Sequence, residues 1–365
     1  MSEMRILFVD DDEGQRDLFE TAVADWNEAN APKHFALTMA ADAPDAWAAL
    51  EAGRFDCAMF DLKMPGPGGV GLVLTGNELA RTAVKDYGIP IGIISGEPED
   101  FESPMPDAGL VRTFPKTPLA SNEAVSWMAS LWEMMTVLGM ARRRIRQAEA
   151  DIFIRRLWSN WSQYAQLQGA DETRLGPIVT RQFASHIAET LGLDGEENPG
   201  WHPFEAWIQP PLDPNRLQTG DILRRADGLW VVLTPPCDMA AGKVSSVILA
   251  HCDDQLPAGW EEKVALLTAG LGNGDVPRKT RDFFTSLVNQ NLENFRHFLP
   301  PLEGRPMMVN FKTLIAIQYE ELMAIRGDRV ATIATPFLPN LTQRFGSYFS
   351  RVGQPNIDTD LFALA

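Results

Sequence analysis

Residues Phe55–Gly66 read FDCAMFDLKMPG. Phe55–Phe60 is apolar except for Asp56, the pattern of a strand buried on both faces. The run ends on Asp61, and Pro65, Gly66, Pro67, Gly68 and Gly69 follow, a composition that predicts loop. A carboxylate at the C-terminal end of a buried strand lies where open α/β sheets hold their ligands. Taken alone, such an aspartate need do no more than solvate its loop. The sequence on either side decides between the two readings.

Upstream, Arg5–Val9 (RILFV) is a β-prone run ending on Asp10, Asp11 and Asp12. Helical spacing over Gln15–Trp26, a strand over Phe35–Met39 and a helix over Ala43–Leu50 lead into the Asp61 strand. Downstream, Gly76–Tyr87 reads as helix. Ile89–Ile94 (IPIGII) reads as a buried strand ending on Ser95-Gly96, and Val111–Phe114 as a short strand ending near Lys116. This repeated β-α pattern predicts an α/β, doubly wound, five-stranded parallel sheet. All strand C-termini of such a sheet share one edge, which gathers Asp10, Asp11, Asp61, Ser95 and Lys116. Clustered carboxylates repel one another unless a cation is present. Mg²⁺ needs only a few protein oxygens and keeps several waters. The metal would offset repulsion between Asp61 and an incoming phosphoryl group, whose oxygens Lys116 and the Ser95 hydroxyl can hold.

Four motifs, VDD at Val9–Asp11, DLKMPG at Asp61–Gly66, SG at Ser95-Gly96 and Lys116, occur in order at predicted strand ends. In this the chain resembles the receiver domain of two-component response regulators over residues 4 to about 120. The resemblance implies a flavodoxin-like fold and a histidine kinase as phosphoryl donor. It makes Asp61 the phosphoacceptor, and Asp10 and Asp11 the Mg²⁺ carboxylates alongside Asp61. The Lys63 backbone carbonyl becomes a further metal ligand, and Ser95 and Lys116 a phosphate-sensing pair. Three departures stand out. The loop over residues 65–75 is long and glycine-rich. The lysine is followed by Thr117-Pro118 rather than directly by proline, which puts the family's cis peptide in question. Thr113 stands where the family carries its reporting aromatic, leaving Phe114 to substitute or the switch weakened.

Ser121, a plausible N-cap, opens a helical stretch running to about Gln168, interrupted only by Gly139. Met128, Leu131, Met135 and Leu138, then Ile145, Ala148 and Ile152, keep 3–4 spacing. That spacing fits ordinary core or a seam pairing two copies as a homodimer. Arg142, Arg143, Arg144 and Arg146 form the densest basic cluster, suited to a solvated face or to docking on an acidic surface, including the receiver of the same chain. Trp158, Trp161 and Tyr164 read as core of the next domain.

The expected domains are therefore residues 1–120, a 121–168 helix, and a 169–365 α+β domain with a small antiparallel or barrel-like sheet. In the last, a helix over Ile178–Leu191 precedes three β-rich stretches, GDILRR, GLWVVLTPPCD and KVSSVILAHCDD, with a turn at Asp227-Gly228. Further strands are expected at Met307–Phe311 and Leu314–Ile317, and a closing helix at Asn340–Phe349. Cys237-Asp238 and His251-Cys252 end adjacent predicted strands. If they meet, Cys237 and His251 could form a nucleophile and base, or the set a zinc site; buried cysteines also serve simply as packing. Arg344, Tyr348 and Arg351 share nearly one helical face, suited to docking on an acidic surface or to anion binding. The texture of this half is similar to uncharacterised regions of bacterial defence-associated proteins, which implies no activity.

Composition bounds these readings. Hydrophobic residues make up 45% of the 365, enough for full cores, and the net charge is −17. Such a field repels nucleic-acid phosphates and argues against a DNA-binding output. Three scattered cysteines make no disulfide framework, no run is long enough to span a membrane, and the start lacks a signal-peptide cleavage pattern, so cytoplasm is expected.

Overall fold

The computed structural model describes residues 3–65, 72–73, 75–104, 109–167, 171–192, 200–241, 244–253, 255–353 and 362. The chain divides into two compact units, residues 1–193 and 194–365. Among the described residues no helix is long and apolar enough to cross a membrane.

The first unit is built on β1 (Glu3–Val9), α1 (Glu13–Ala29), β2 (His34–Ala40), α2 (Ala43–Ala52) and β3 (Cys57–Phe60). After a two-residue ladder between β4 (Met64–Pro65) and β5 (Leu72–Val73) come α3 (Thr75–Lys85), β6 (Ile91–Ser95) and β7 (Val111–Pro115). Five strands pair in parallel in the order β2-β1-β3-β6-β7, the doubly wound arrangement expected. Every residue of β3 and β6 is buried, as strands covered on both faces require. Side chains alternate between two cores. Ile6, Phe8, Cys57, Met59 and Phe114 face α1 and α4 (Ala120–Ser130), while Leu7, Val9, Ala58, Phe60 and Ile93 face α2 and α3.

Two features depart from a regular β-α alternation. Pro65, expected in loop, is paired through the short β4–β5 ladder, with residues 66–71 outside the described ones. Among the described residues the β6–β7 connection carries only one 3₁₀ turn, Pro98–Asp100, where a parallel crossover usually uses a helix.

The long helical stretch is broken at Leu131 rather than at Gly139, which lies buried within α5 (Trp132–Ile152). Its start is not capped by Ser121. That residue is buried inside α4, which follows Leu119 with no side-chain cap. Met128, Trp132 and Met135 join the core of the first unit beside Trp26 and Phe35. Farther on, Ala148, Ile152 and Leu157 pack against Val179, Phe183, Ile187 and Leu191 of α7 (Glu172–Gly192). The apolar seam expected to pair two copies is thus largely consumed within the chain, and α7 belongs to the first unit rather than to a domain beginning at residue 169. A π turn, Phe153–Leu157, joins α5 to α6 (Trp158–Leu167). Trp158 and Trp161, expected in a core, are 63% and 41% exposed.

The second unit is a seven-stranded antiparallel sheet ordered β12-β13-β11-β10-β9-β14-β8. Its strands are β8 (Trp207–Ile208), β9 (Asp221–Arg225), β10 (Gly228–Val232), β11 (Ser246–Asp253), β12 (Arg296–Leu302), β13 (Arg305–Gln318) and β14 (Arg329–Ile333). The two strands expected near residues 307–317 are one, β13, with a bulge opposite Ala250/His251 that absorbs the break. The Trp207 indole on β8 donates to the Pro301 carbonyl on β12, so the two edges of the sheet approach one another, barrel-like. The expected hairpin turn forms at Asp227-Gly228, where Gly228 takes φ 123°, a conformation an L residue rarely adopts. α8 (Pro236–Ala241), α9 (Trp260–Asn273), α10 (Arg278–Val288), α11 (Tyr319–Ala324) and α12 (Leu338–Phe349) complete the unit, α12 lying within two residues of its expected span.

Candidate functional site

Parallel pairing brings the ends of β1, β3 and β6 to one edge, with the residue after β7 beside them. Asp10 follows β1 and is fully buried; Asp61 follows β3 and is 5% exposed. The Asp61 backbone N–H donates to the Val9 carbonyl at 2.7 Å, which carries the ladder one residue past β3 and locks Asp61 beside Asp10. Ligand oxygens of Asp10, Asp11 and Asp61 all lie within 4.8 Å of one another, the one such group among the described residues that could hold a metal ion.

Lys116 reaches into this cluster. Its Nζ lies 2.9 Å from Asp61 Oδ2 and 3.0 Å from Asp10 Oδ2. The Lys116 backbone N–H donates to the Ser95 carbonyl, extending the β6–β7 pairing and fixing where the side chain starts. Asp61 Oδ1 accepts from the Leu62 N–H at 2.7 Å, and Asp10 Oδ1 from the Asp12 N–H at 3.0 Å. Asp10 Oδ2 is buried and, despite the nearby ammonium, receives no directed hydrogen bond. Burial pushes the Asp10 carboxyl up to about 6; Lys116 pulls against this and the neighbouring Asp61 adds to it. Burial lowers the Lys116 ammonium, but its hydrogen bond to Asp61 and its ion pair with Asp10 more than offset that and hold its pKa up. One cation against three carboxylates leaves the edge with a net deficit of positive charge. The donor set is all oxygen, the type a hard divalent cation takes, and the buried, undirected Asp10 oxygen fits such an ion.

The remaining expected residues are placed less directly. Ser95 is buried at the end of β6, its hydroxyl oxygen accepting from the Glu97 N–H at 3.2 Å. Among the described residues no hydrogen bond joins it to Asp61. Lys63 lies two residues past Asp61, and its ammonium pairs with Glu97 and with Asp100 at 2.9 Å, a strap from the Asp61 loop to the turn after β6. Phe114, the aromatic beside Thr113, lies in the core. It is 1% exposed and packs on Trp127 beneath α4, whereas Thr113 is exposed. The peptides on either side of Thr117 are trans.

Supporting residues that motif reading passed over include Asp12, Arg16 and Gly76. Asp12 caps α1, its side chain accepting from the Gly14 and Gln15 N–H groups. Arg16 Nη1 donates to the Asp10 carbonyl at 2.6 Å. Gly76 opens α3 against the Asp61–Leu62 backbone, where a Cβ would overlap the Asp61 carbonyl oxygen. The glycine in a Thr-Gly-Asn start was the available signal for that close approach.

In the second unit the suspected constellation does not assemble. His251 pairs with Trp230, midway along β10, whereas Cys237 lies beyond that strand's C-terminal end, on α8. Cys237 is exposed and Cys252 buried. Both His251 ring nitrogens are engaged, Nδ1 with Asp253 Oδ1 at 2.9 Å and Nε2 with the Asp227 carbonyl at 3.1 Å. Two acceptors facing one imidazole favour its doubly protonated form, which cannot act as a base. Neither a Cys-His pair nor a zinc set is formed among the described residues. Arg344 and Arg351 are tied locally, Arg344 to the Arg296 carbonyl and Arg351 to the Tyr348 carbonyl and Asn294 Oδ1.

No family model and no curated protein matches the chain. Solved structures do. The chemotaxis response regulator CheY4 of Vibrio cholerae is 20% identical over 34% of this chain and 97% of its own, with a TM-score of 0.25. A two-component transcriptional regulator AraC from Clostridium phytofermentans is 20% identical over 36% and 98%, with a TM-score of 0.28. Full-length FixJ from B. japonicum is 15% identical over 53% and 93%, with a TM-score of 0.28. In fold, the first third of the chain is similar to the receiver domains of response regulators.

Proposed function

We propose that this chain is a phosphorelay signalling protein whose receiver accepts a phosphoryl group on Asp61 from a histidine kinase. The observation that carries the reading is the clustering of Asp10, Asp11 and Asp61 with Lys116 paired to Asp10 and Asp61, and a buried Asp10 oxygen left without a directed bond. Asp10, Asp11, Asp61 and the Lys63 carbonyl would hold Mg²⁺, which when bound supplies positive charge against the incoming phosphoryl oxygens. An Asp61 carboxylate oxygen attacks phosphorus. The new O–P bond forms as the bond to the donor nitrogen breaks, and the leaving imidazole keeps the electron pair. Lys116, now bonded to Asp61 Oδ2, turns to a transferred phosphoryl oxygen, and the Ser95 hydroxyl is the second donor at that edge. The second unit serves as a protein-interaction output, a role that the net charge of −17 favours over binding to nucleic acid.

One observation favours a narrower variant, a phosphoryl sink without conformational output. The aromatic available to report phosphorylation, Phe114, is locked in the α4 core. Identical hydrodynamic radius and protease sensitivity before and after phosphorylation would select the sink. The common core of both readings is tested by incubating the full chain with Mg²⁺ and a small-molecule phosphodonor and reading the intact mass. One phosphoryl group is expected, lost in Asp61→Asn and lost when EDTA replaces Mg²⁺. Equal labelling of Asp61→Asn would overturn the assignment.

A further inference from the structure

The opposite edge of the first sheet carries a second site. After its break at Leu131, α5 passes the strand N-termini. There Arg142 Nη2 donates to the Gly88 carbonyl at 2.6 Å and the Tyr87 carbonyl at 3.3 Å, in the turn after α3. Between this helix and the sheet lies a half-open groove of about 780 Å³, within the size range of small-ligand sites. Five arginines line it. Arg5 comes from β1 and Arg54 from the segment before β3, and Arg142, Arg143 and Arg146 from one face of α5. Phe55 and Tyr87 supply half-buried rings on the same wall.

Not all of these arginines are matched by the carboxylates around them. Glu3 pairs with Arg5, and Asp56 Oδ2 accepts the Arg5 backbone N–H. Glu51 and Asp86 also line the groove. Yet Arg54, Arg142 and Arg146 have no carboxylate within 4 Å among the described residues. Arg142 and Arg146 are half-buried, and a guanidinium withdrawn from water without a counter-ion carries a desolvation cost that an anion would remove. The arginine fork matches phosphate oxygens bidentately, and aromatic walls suit a planar ring. In a chain of net charge −17, such a concentration of arginine on one concave surface calls for a ligand.

We propose that this groove binds a small polyphosphate-bearing anion of nucleotide size, held between Arg54 on the receiver and Arg142 and Arg146 on α5. Binding would strap α5 to the base of the sheet, at the edge remote from Asp61. The site uses no residue of the acidic edge, so the two assignments stand or fall separately.

The test is isothermal titration of the full chain with ATP and, separately, with inorganic tripolyphosphate, both in EDTA to silence the acidic edge. Saturable one-to-one binding of either probe is expected in the wild type, and unchanged in Asp61→Asn. Arg54→Gln and Arg146→Gln, with melting temperatures checked against wild type, should each weaken it at least tenfold. Glu51→Gln, which removes a nearby negative charge, should tighten it. Tighter binding of ATP than of tripolyphosphate would assign the rings to a base; equal binding would assign phosphate alone. Absence of saturable binding below millimolar concentration, affinities untouched by Arg54→Gln and Arg146→Gln, or capture of poly-glutamate in preference to both probes would overturn the proposal.

Discussion

At the edge of the first sheet, three carboxylates cluster, two of them share one lysine, and a buried Asp10 oxygen goes without a directed hydrogen bond. In the second sheet, the equally suggestive His251, Asp253 and Asp221 have their acceptors and donors met. His251 holds Asp253 and the Asp227 carbonyl, and Asp253 Oδ2 accepts from Asn310 Nδ2 at 2.8 Å. Asp221, fully buried, takes the Gln218 N–H, the Thr332 hydroxyl and, at 3.0 Å, Arg329 Nη1. Arg329 is tied in turn to the Arg216 and Asp213 carbonyls. Buried polar groups persist only when hydrogen-bonded. A buried carboxylate whose two oxygens both accept hydrogen bonds, as in Asp221, is architecture, and one with an oxygen left over, as in Asp10, has room for a cation. Residue type alone does not separate the two.

The comparison can be broken at either end. The largest effect is expected in the second unit. Arg329→Met strands the Asp221 carboxylate in the core and should cost about 3–5 kcal/mol in chemical denaturation, as breaking buried pairs does. A loss below about 1 kcal/mol would mean that the network is not structural. At the acidic edge the sign reverses. Burial raises Asp10 to about 6 in the folded chain, above its ordinary 3.8. The folded state therefore binds more protons than the unfolded one between these values, and metal-free stability should fall as pH rises from about 4 to 6. Asp10→Asn should flatten that slope and stabilise the protein in EDTA at neutral pH by about 1–2 kcal/mol. It should also abolish the rise in melting temperature on adding Mg²⁺. For the same reason Mg²⁺ should bind less tightly below pH 6, where it must displace the Asp10 proton. The smallest effect belongs to Cys237. Exposed on α8 and remote from His251, it should tolerate alanine within about 0.5 kcal/mol and with no loss of function.

Much of the first unit was legible because its signals are local. Apolar runs ending on Asp10, Asp61 and Ser95, with Lys116 past the last strand, place chemistry at one edge once a parallel sheet is inferred. Gly76 and the Lys63–Glu97–Asp100 strap were not legible, since each depends on which backbone lies across from it. Helix periodicity exposed the apolar stripe of α5 but not its partner. The stripe met Trp26 and Phe35 at one end and α7 at the other, so spacing that suited a second copy was satisfied within the chain. In the second unit the ladder order brings β9 beside β14 across more than a hundred residues, and the Asp221–Arg329 pair has no counterpart in local pattern. Reading Cys237 and His251 as neighbours failed for a register reason. His251 sits within the β10–β11 ladder, opposite Trp230, while Cys237 lies past the C-terminal end of β10.

The central claim is that the acidic edge is a phosphoacceptor, and its most direct test is the chemistry of the adduct. After phosphorylation in Mg²⁺, peptide mapping should find the phosphoryl group on the peptide containing Asp61. Neutral hydroxylamine should remove it, as an acyl phosphate requires, converting Asp61 to its hydroxamate. A hydroxylamine-resistant phosphoryl group, or one mapped to a serine, threonine or histidine elsewhere in the chain, would contradict the account.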